Sequence, residues 1–481
     1  MNINKYKELS VILETILLST STPEIIANNY LHFVNSHPQS LKKYGFSKML
    51  RIKFSIRSSI IVILRLFFSI LKKKLILKKS KTDIIFVSHL TNSSQKLQEN
   101  DAYFGNLPTL LAKYNISSNI ALINHIKSNF KISDVWKKSL VPRFILNNTL
   151  RFKSEFELCI CQIKSKKELV KILHDLNGDK IQAKNILNHH FSSETFNAIR
   201  IAKQVAWIAK RTGADFIFTT YEGHAWERLV YYYARKINPK IKCFGYQHAA
   251  ISKHNYAINQ SLQYPFNPDV IFTSGMITKQ MFDKNKQIRS EITCLGSFKN
   301  HYYNLKKNTV NSCLVIPEGI LSECLLLFKL SLEYAKQHKN QKFIWRLHPI
   351  LNFNILKKKF SLFKNLPDNI YVSERNLDAD IEQCNTVLYR GSTSVFRAIS
   401  AGLSPIYFQK SIHELSVDPL CDIMNGKLVV SNISSLHFAL HKKFSAKHKT
   451  ALQKFSLNYF NPIDINKFLD IYNFYSSKSK S

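Results

Sequence analysis

The sequence lacks acidic residues relative to basic ones, and it lacks the motifs of several common protein classes. Its 481 residues include 69 Lys and Arg but 32 Asp and Glu, a formal net charge of +37. It has no zinc-finger spacing, no aromatic RNA-recognition signature and no basic-region heptads, so no module supports a nucleic-acid partner. Although the richness in Lys, Asn and Ile also indicates a general compositional bias, the excess exceeds what solubility requires. We therefore expect an anionic partner, either a membrane surface or a substrate such as a nucleotide sugar.

No two of the 8 cysteines form a CxxC pair. Cys243, Cys294 and Cys313 lie within apolar, strand-like runs, where a reduced thiol behaves as a small hydrophobe. The first residues include an acidic side chain among apolar ones and no clear small-residue cleavage site, so they predict no signal peptide. Together these features predict a cytoplasmic protein.

The sequence also lacks an apolar run long enough to span a membrane. The longest run, from Ile60 to Leu71, is broken by Arg65 and is shorter than the roughly 20 residues that a span needs. Residues 51–80 instead combine an aliphatic face with many basic side chains, which is typical of a helix lying among anionic headgroups. A helix packed on the protein with extended lysine side chains is the alternative. The first interpretation predicts peripheral attachment to the inner face of the cytoplasmic membrane.

Beyond residue 80, short apolar strands alternate with amphipathic helices, a pattern of parallel sheets covered on both faces. It predicts an α/β protein in which a helical segment (1–80) precedes two Rossmann-like domains (81–300 and 311–481), with a basic linker at 300–310. Such sheets bind ligands at the carboxyl ends of their strands, so the chemistry is expected in a cleft between the domains. The predicted strands are residues 83–88, 119–124, 157–163, 215–219, 241–246, 269–273, 292–295, 312–316, 342–346, 369–372, 386–389 and 404–408.

A glycine and three hydroxyl residues follow one strand of the second domain. Gly391, Ser392, Thr393 and Ser394 stand where the next helix is predicted to begin. Hydroxyls, backbone amides and the helix dipole together form a cradle for phosphate. An ordinary serine N-cap, with Gly402 ending the helix, fits the same residues.

Other strand ends of the second domain carry further candidates. His348 can donate to a leaving phosphate, and Glu374 suits ribose hydroxyls because an ionised carboxylate only accepts hydrogen bonds. Gly319 lies in a tight turn whose amides could face the donor, and Arg346 and Arg390 would attract an anionic donor. The structural alternatives are a core histidine and a solvated glutamate.

The first domain offers two candidate bases for deprotonating an acceptor hydroxyl. Glu222 stands beside a glycine at a strand-to-helix turn, and Asp101 precedes the helix after the first strand. The alternative for Asp101 is a helix N-cap. His248 and Trp226 are candidate acceptor contacts, although His248 could also touch the donor or be satisfied in the core.

Two acidic features are interpreted as structural. Glu227 and Arg228 are expected to form an ion pair on a helix. Asp378 and Asp380 have the spacing of a metal-binding DxD motif, but they open a helix, which favours capping over metal binding. No His or Cys cluster has zinc spacing, so we expect neither a metal nor a cofactor.

The spacing of His348, Glu374 and the hydroxyl run at 392–394 resembles that of bacterial GT-B glycosyltransferases that use CMP-activated sugars. These include the sialyl-, polysialyl- and Kdo-transferases of capsule and lipopolysaccharide assembly. The resemblance implies that His348 assists departure of the CMP phosphate, that Glu374 holds the ribose and that the hydroxyl run binds the phosphate. It also implies that Glu222 supplies the base. It covers residues 215–408, and Thr393 replaces the second serine of a strict Ser-Ser pair.

The resemblance thus implies a metal-independent glycosyltransferase that adds an acidic CMP-linked sugar to a surface polysaccharide or lipid-linked glycan. A UDP- or GDP-sugar transferase of the same fold and a CDP-glycerol glycerophosphotransferase are the nearest alternatives. A UDP-sugar 2-epimerase and a non-catalytic basic membrane scaffold are the more distant ones. The sugar, the linkage and the stereochemistry stay open.

Overall fold

The structure of the protein is a computed structural model that describes residues 3–32, 64, 69, 81–126, 134–176, 180–300, 303, 311–349, 351–423 and 425–480. The basic segment predicted at 51–80 lies outside the described residues except at positions 64 and 69, as does the linker at 300–310 except at 300 and 303. Within the described part of the chain, no helix is both long and apolar enough to cross a bilayer.

The first sheet is built from apolar runs that are buried on both faces, as parallel strands require. Its strands are β1 (Ile84–Leu90), β2 (Ser118–Asn124), β3 (Arg143–Ile145), β4 (Phe216–Thr220), β5 (Lys242–Gln247), β6 (Val270–Thr273) and β7 (Glu291–Cys294). All pair in parallel in the order β3-β2-β1-β4-β5-β6-β7, so the strand order reverses between β1 and β4.

The second sheet repeats this arrangement. Its strands are β8 (Ser312–Pro317), β9 (Lys342–Trp345), β10 (Ile370–Val372), β11 (Thr386–Arg390), β12 (Ser404–Phe408) and β13 (Leu428–Val430). They are parallel in the order β10-β9-β8-β11-β12-β13. Both sheets therefore have the doubly wound strand order, and the predicted α/β fold class with two Rossmann-like sheets is confirmed.

Helices cover both faces of each sheet. Around the first sheet they are α1 (Ile3–Leu18), α2 (Pro23–Ile26), α3 (Asn29–His32), α4 (Leu107–Ala112), α5 (Asp134–Lys138), α6 (Phe152–Asp175), α7 (Lys180–His190), α8 (Ser193–Thr212), α9 (Ala225–Ile237) and α10 (Met276–Asp283). After β8 they are α11 (Leu321–Gln337), α12 (Phe353–Lys359), α13 (Leu377–Ile381), α14 (Ser394–Ser400), α15 (Ile433–His441), α16 (Ala446–Tyr459) and α17 (Ile465–Lys480).

Local sequence signals set the bounds of α8. The Ser192 side chain accepts a hydrogen bond from the Thr195 amide at its start, and Gly213 ends it with a φ of +65°. Between these ends, residues such as Ile199, Ala202 and Val205 are buried at helical spacing. The helix packs against α9 and belongs to the core on one face of the first sheet.

The strand predicted at 157–163 is wrong, because these residues lie inside α6. Leu158, Gln162, Ser165 and Leu169 are buried at the spacing of one helical face, which an isolated reading of the Ile- and Cys-rich run does not show. Glu155 on the same face forms an ion pair with the buried guanidinium of Arg200 in α8. This helix therefore packs its polar and apolar buried groups against its neighbours.

Both ends of the described chain pack on the first sheet. Leu13 and Leu17 of α1 belong to the core that contains Ile85 and Val87 of β1. Phe468 of α17 is fully buried on the other face of the sheet. The predicted boundaries stay predictions, but side chains of α17 between Ile465 and Tyr475, a segment assigned from the sequence to the second domain, pack on the first sheet instead.

After α16, the backbone of residues 459–462 passes close to two glycines of the first domain. The amide of Ser297 donates to the carbonyl of Asn461 at 2.7 Å. A Cβ at Gly275 would overlap the carbonyl of Tyr459, and one at Gly296 would overlap that of Pro462. Glycine at both sites permits this close backbone approach.

Candidate active site

Neighbouring strands of the first sheet end in residues with ionisable side chains. His89 lies at the end of β1, His125 follows β2, Glu222 follows β4 and His248 follows β5. Because β2, β1, β4 and β5 are adjacent and parallel, these residues share one edge of the sheet. The structure thus brings together Glu222 and His248, both of which the sequence predicts as site residues.

Glu222 is the carboxylate of this edge that opens to solvent. Its side chain is 37% exposed, and its oxygens lie 3.1 Å from Nε2 of His224 and 3.5 Å from Nε2 of His248. Burial alone would raise the pKa of Glu222, but the hydrogen bond from His224 and the charges of His248 and His224 outweigh it, so the pKa lies below its usual value. Glu222 is therefore ionised at neutral pH, as a proton acceptor must be.

A buried carboxylate shapes the turn that presents Glu222. The carboxylate of Glu227 accepts hydrogen bonds from the backbone amides of Glu222, Gly223 and His224. Burial raises the pKa of Glu227 to about 7. Gly223 has a φ of +83°, where a side chain would be strained. The predicted ion pair between Glu227 and Arg228 is wrong, because Arg228 donates to oxygens of the loop before β6.

Sequence reasoning missed the histidines at the ends of β1 and β2. Nδ1 of His89 lies 2.9 Å from Nε2 of His125, and its Nε2 lies 3.1 Å from Oγ1 of Thr220. Trp226 packs edge-on against His89 with ring centroids 5.3 Å apart. Burial lowers the pKa of His89 to about 3, so this ring is neutral. A signal was present, because each histidine directly follows a predicted strand.

These imidazoles do not form a metal centre in the part of the chain that the structure describes. There, no group of three or more His, Cys, Asp or Glu side chains has the geometry to hold an ion.

Asp101, the competing candidate base, is held inside a tight turn. The residue is 8% exposed. Its Oδ1 accepts hydrogen bonds from Ser88 Oγ at 2.8 Å and from the amides of Tyr103 and Phe104 at 2.8 and 2.9 Å. Burial raises the pKa of Asp101, and these hydrogen bonds oppose the shift. The predicted helix N-cap is wrong, because the next helix begins at Leu107 with Asn106 as its N-cap, and Asp101 instead closes the turn before it. Glu222 is the more accessible of the two carboxylates.

The predicted donor residues of the second domain also share one sheet edge. Glu374 follows β10, His348 follows β9, Gly319 follows β8 and Gly391 follows β11. These strands are parallel neighbours in that order. Glu374 and His348 are exposed, so their side chains are accessible from solvent.

Glu318 is a carboxylate of this edge that sequence reasoning missed. It occupies the space that a Cβ on Gly391 would need, and Gly391 has a φ of +71°. Desolvation lowers the pKa of His348, and the negative charge of Glu318 opposes that shift. Glu318 therefore lies against the loop that carries the hydroxyl run, and its charge acts on His348. Its sequence signal was a turn motif, which does not reveal where the carboxylate points.

The hydroxyl run stands at the start of α14. Thr393 is the N-cap residue of α14, yet its side chain makes no capping hydrogen bond. Thr393 and Ser394 line a cavity of about 210 Å³ together with Arg397 and Lys299. Ser392 is 8% exposed. The two later hydroxyl residues of the run are thus the ones that line this cavity.

Lys299 connects the two sheet edges. Its Nζ donates to the backbone carbonyl of His248 at 3.1 Å. Desolvation lowers the pKa of Lys299, and the negative charge of Glu222 opposes that shift. The same side chain lines the cavity with Thr393 and Ser394. Lys299 therefore borders both the first sheet edge and the crevice lined by Thr393 and Ser394.

Arg390 does not reach this crevice, which corrects its assignment to the donor site. Its side chain is 1% exposed, with Nε 2.5 Å from Glu323 and Nη2 2.9 Å from Glu414. Nη1 donates to the carbonyl of Phe408 at 3.0 Å. These three acceptors, distant in sequence, hold the guanidinium inside the second domain.

Arg346 likewise forms a structural ion pair. Its Nη1 lies 2.9 Å from Oδ2 of the buried Asp380. Asp378 pairs with Arg397, and the N-cap of α13 is Asn376, whose side chain accepts the Ala379 amide. The two aspartates with DxD spacing therefore pair with arginines, and neither is the capping residue that the sequence predicted.

Comparison with known proteins finds no matching family model and no matching curated protein. Among solved structures, the chain is similar to MurG from Acinetobacter baumannii, with 8% identity, a TM-score of 0.44 and coverage of 82% of this chain and 99% of that one. It is similar to the UDP-GlcNAc 2-epimerase from Methanocaldococcus jannaschii, with 12% identity, a TM-score of 0.44 and coverage of 76% and 95%. It is also similar to the glycotransferase of kitacinnamycin, with 9% identity, a TM-score of 0.45 and coverage of 78% and 95%. A function for the chain has to rest on its own residues.

Proposed function

We propose that the protein is a GT-B-type glycosyltransferase that uses a nucleotide-activated sugar, with a CMP-linked acidic sugar as the preferred donor. The observation that carries the proposal is the position of Lys299, which contacts the backbone of His248 and lines the cavity with Thr393 and Ser394. In the proposal, this cation links the candidate proton acceptor of the first domain to the cavity that would hold the donor phosphate. Glycosyl transfer needs both functions around the anomeric carbon.

On the donor side, the hydroxyls of Thr393 and Ser394 donate to the phosphate and Lys299 neutralises its charge. His348 delivers a proton as the bond between the anomeric carbon and the phosphate oxygen breaks, with the electron pair staying on the phosphate. Glu374 accepts hydrogen bonds from the ribose. A CMP donor leaves with a single phosphate, so these fixed groups can stabilise it without a divalent metal.

On the acceptor side, Glu222 takes the proton from the acceptor hydroxyl as that oxygen bonds to the anomeric carbon. Its lowered pKa makes it a weak base in the resting site, so the proton moves late, when the attacking oxygen has become acidic. His224 and His248 hold the carboxylate in place. His248 and Trp226 are proposed acceptor contacts at the wall of the cleft, where both are largely buried.

The proposed acceptor is a growing surface polysaccharide or a lipid-linked glycan at the inner face of the cytoplasmic membrane. The net charge of +37 favours an anionic partner of this kind. Residues 51–80 remain the proposed membrane-contacting segment, and they lie outside the described residues apart from positions 64 and 69.

The test compares thermal unfolding of the full chain with CMP, UDP, GDP and CDP-glycerol, each with and without EDTA. Selective binding of CMP stabilises the native state by about 2.7 kcal/mol at a concentration one hundred times the Kd. The double variant Thr393→Val with Ser394→Ala should lose that stabilisation. Ser434→Ala, an exposed serine of α15, is the matched control and should keep it.

The outcomes discriminate between donor classes. Release of CMP from CMP-linked sialic acid or Kdo in the presence of a glycan acceptor supports the proposal. Stabilisation by UDP alone would instead indicate a UDP-sugar transferase or epimerase. Incorporation of glycerophosphate would indicate a CDP-glycerol glycerophosphotransferase. No response to any nucleotide rejects a transferase.

A further inference from the structure

Helix α6 carries a second row of apolar side chains, which is exposed to solvent in the described structure. Its buried face, which includes Leu158 and Leu169, packs toward α2 and α7. At about 100° per residue, a separate row lies within about 40° of one direction on another side of the helix. That row consists of Phe152, Phe156, Ile163 and Val170, which are 49%, 52%, 62% and 43% exposed.

The row is long and continuous enough to act as a surface. From Phe152 to Val170 it extends for about 27 Å along the helix axis. The rings of Phe152 and Phe156 lie nearly parallel, with an interplanar angle of 16° and centroids 6.4 Å apart. Exposed apolar rows that are bordered by polar groups are a mark of interaction sites on monomeric proteins.

Basic side chains border this row. Lys153, Lys164, Lys167 and Lys171 are exposed and lie about 40–100° around the helix from its centre on one side. Lys166 is exposed on the other side. The apolar row and its lysines together are called the α6 face below.

The acidic residues of α6 do not cancel this charge. Glu155 is buried in its pair with Arg200, and the carboxylate of Glu168 accepts hydrogen bonds from two threonines at the end of α1. Glu157 and Asp175 are exposed, but both lie about 120° around the helix from the apolar row, farther from it than the lysines. The charge next to the apolar row is therefore positive.

We propose that the α6 face binds the surface of an anionic lipid bilayer, with its aromatic and aliphatic side chains among the acyl chains and its lysines at the headgroups. This is the mode of interfacial helices, whose binding combines buried apolar area with attraction to anionic lipid. A second copy of the chain fits the face less well, because symmetric pairing would bring the two lysine rows together. The proposal concerns a surface separate from residues 51–80 and does not depend on the proposed catalytic function.

The test measures sedimentation of the full chain with vesicles of phosphatidylcholine alone or mixed with phosphatidylglycerol. Phe156→Ser with Ile163→Ser should lower the partition coefficient on the mixed vesicles by about tenfold or more and leave the melting temperature unchanged, since both side chains are exposed. The matched control is Phe438→Ser on α15, an equally exposed aromatic that also has a lysine beside its ring, and it should bind like the wild type. Binding should weaken as salt is added.

A second measurement locates the contact without any substitution. Mixed vesicles should protect Lys164 and Lys171 from acetylation, as measured by mass spectrometry, while Lys442, which directly follows α15, stays reactive. Equal partition of the double variant and the wild type, or unprotected lysines on the bound protein, refutes the proposal. A dimer that forms without vesicles and is lost in the double variant assigns the face to a second copy and also refutes it.

Discussion

Lys299 donates from Nζ to the backbone carbonyl of His248, and the same side chain lines the cavity formed by Thr393 and Ser394. His248 belongs to the first sheet edge and the two hydroxyl residues to the second. A single ammonium group is therefore shared between the carboxylate cluster and the hydroxyl cavity. If the proposed function holds, the phosphate of the nucleotide donor meets this cation, so a substitution at Lys299 tests both halves of the proposed site.

Replacing Lys299 by Met should weaken nucleotide binding while preserving most of the side-chain packing. A hydrogen bond to a charged group contributes about 1.5–3 kcal/mol, which corresponds to a loss of affinity of about 10- to 100-fold for CMP. Titration calorimetry measures the loss. Lys329→Met on the exposed side of α11 is the control and should bind as the wild type does. Unaltered CMP affinity in Lys299→Met would show that the cavity is not the phosphate site.

Glu222→Gln and Asp101→Asn separate the two candidate bases. Removing a general base costs about 10²–10⁴-fold in rate, so Glu222→Gln should lower kcat by that factor with little change in donor KM. Asp101→Asn retains the Oδ1 acceptor for Ser88 and the two amides, so its kcat should change by less than about tenfold. Steady-state rates measured with saturating donor show which of the two carboxylates is the base. The reverse pattern would make Asp101 the base.

Arg390→Ala should damage stability rather than donor binding. It removes the guanidinium that pairs with the buried carboxylate of Glu323, and breaking a buried ion pair costs about 3–5 kcal/mol. Urea unfolding measures that loss, and Arg375→Ala, an exposed arginine after β10, should stay within about 0.5 kcal/mol of the wild type. Arg390→Lys keeps a charge and provides a folded variant for kinetics. If Arg390→Lys has normal stability but a raised donor KM, the buried role is wrong.

The strands could be predicted because parallel strands buried on both faces are short continuous apolar runs. Residues 83–88 and 241–246 illustrate this, since they match β1 and β5 to within two residues. The short edge strands β3 and β13 have three residues each and carry too little pattern to be seen. The path of α17 back to the first sheet depends on contacts such as that of Phe468 with Phe218, which are remote in sequence.

The site was predictable where a polar residue directly follows a strand. Glu222, His248 and His348 were found in this way, and the same rule extended to His89 would have found the histidines. Arg390 obeys the rule and still points into the core, because its partners Glu323 and Glu414 come from other segments. Position after a strand fixes the sheet edge, but the direction of a long side chain depends on packing.

The pair formed by His224 and Glu222 should make stability depend on pH. Glu222 raises the pKa of His224 to about 9 despite desolvation, so this histidine stabilises the fold fully below its unfolded pKa of about 6.5 and loses that contribution as the pH rises through about 9. The lowered pKa of Glu222 gives a contribution that is present above its usual pKa and is lost on acidification.

Melting temperatures of the wild type and Glu222→Gln should therefore differ most near about pH 6 and converge toward about pH 10. His441→Gln, an exposed histidine of α15, serves as the control and should show no such convergence. A difference that stays constant over this range would mean that the two groups are not coupled in the folded protein.

Glu318 should set the pH range in which His348 works. Its negative charge raises the pKa of His348 against desolvation, so Glu318→Gln should lower that pKa further. If a protonated His348 donates to the departing phosphate, the alkaline limb of the kcat profile then moves to lower pH and the rate at neutral pH falls. Glu374→Gln should raise the donor KM and leave this limb in place, because its proposed role is ribose binding. A limb that does not move in Glu318→Gln excludes His348 as the group that titrates, since the carboxylate next to it would then have no effect on the proton that the reaction uses.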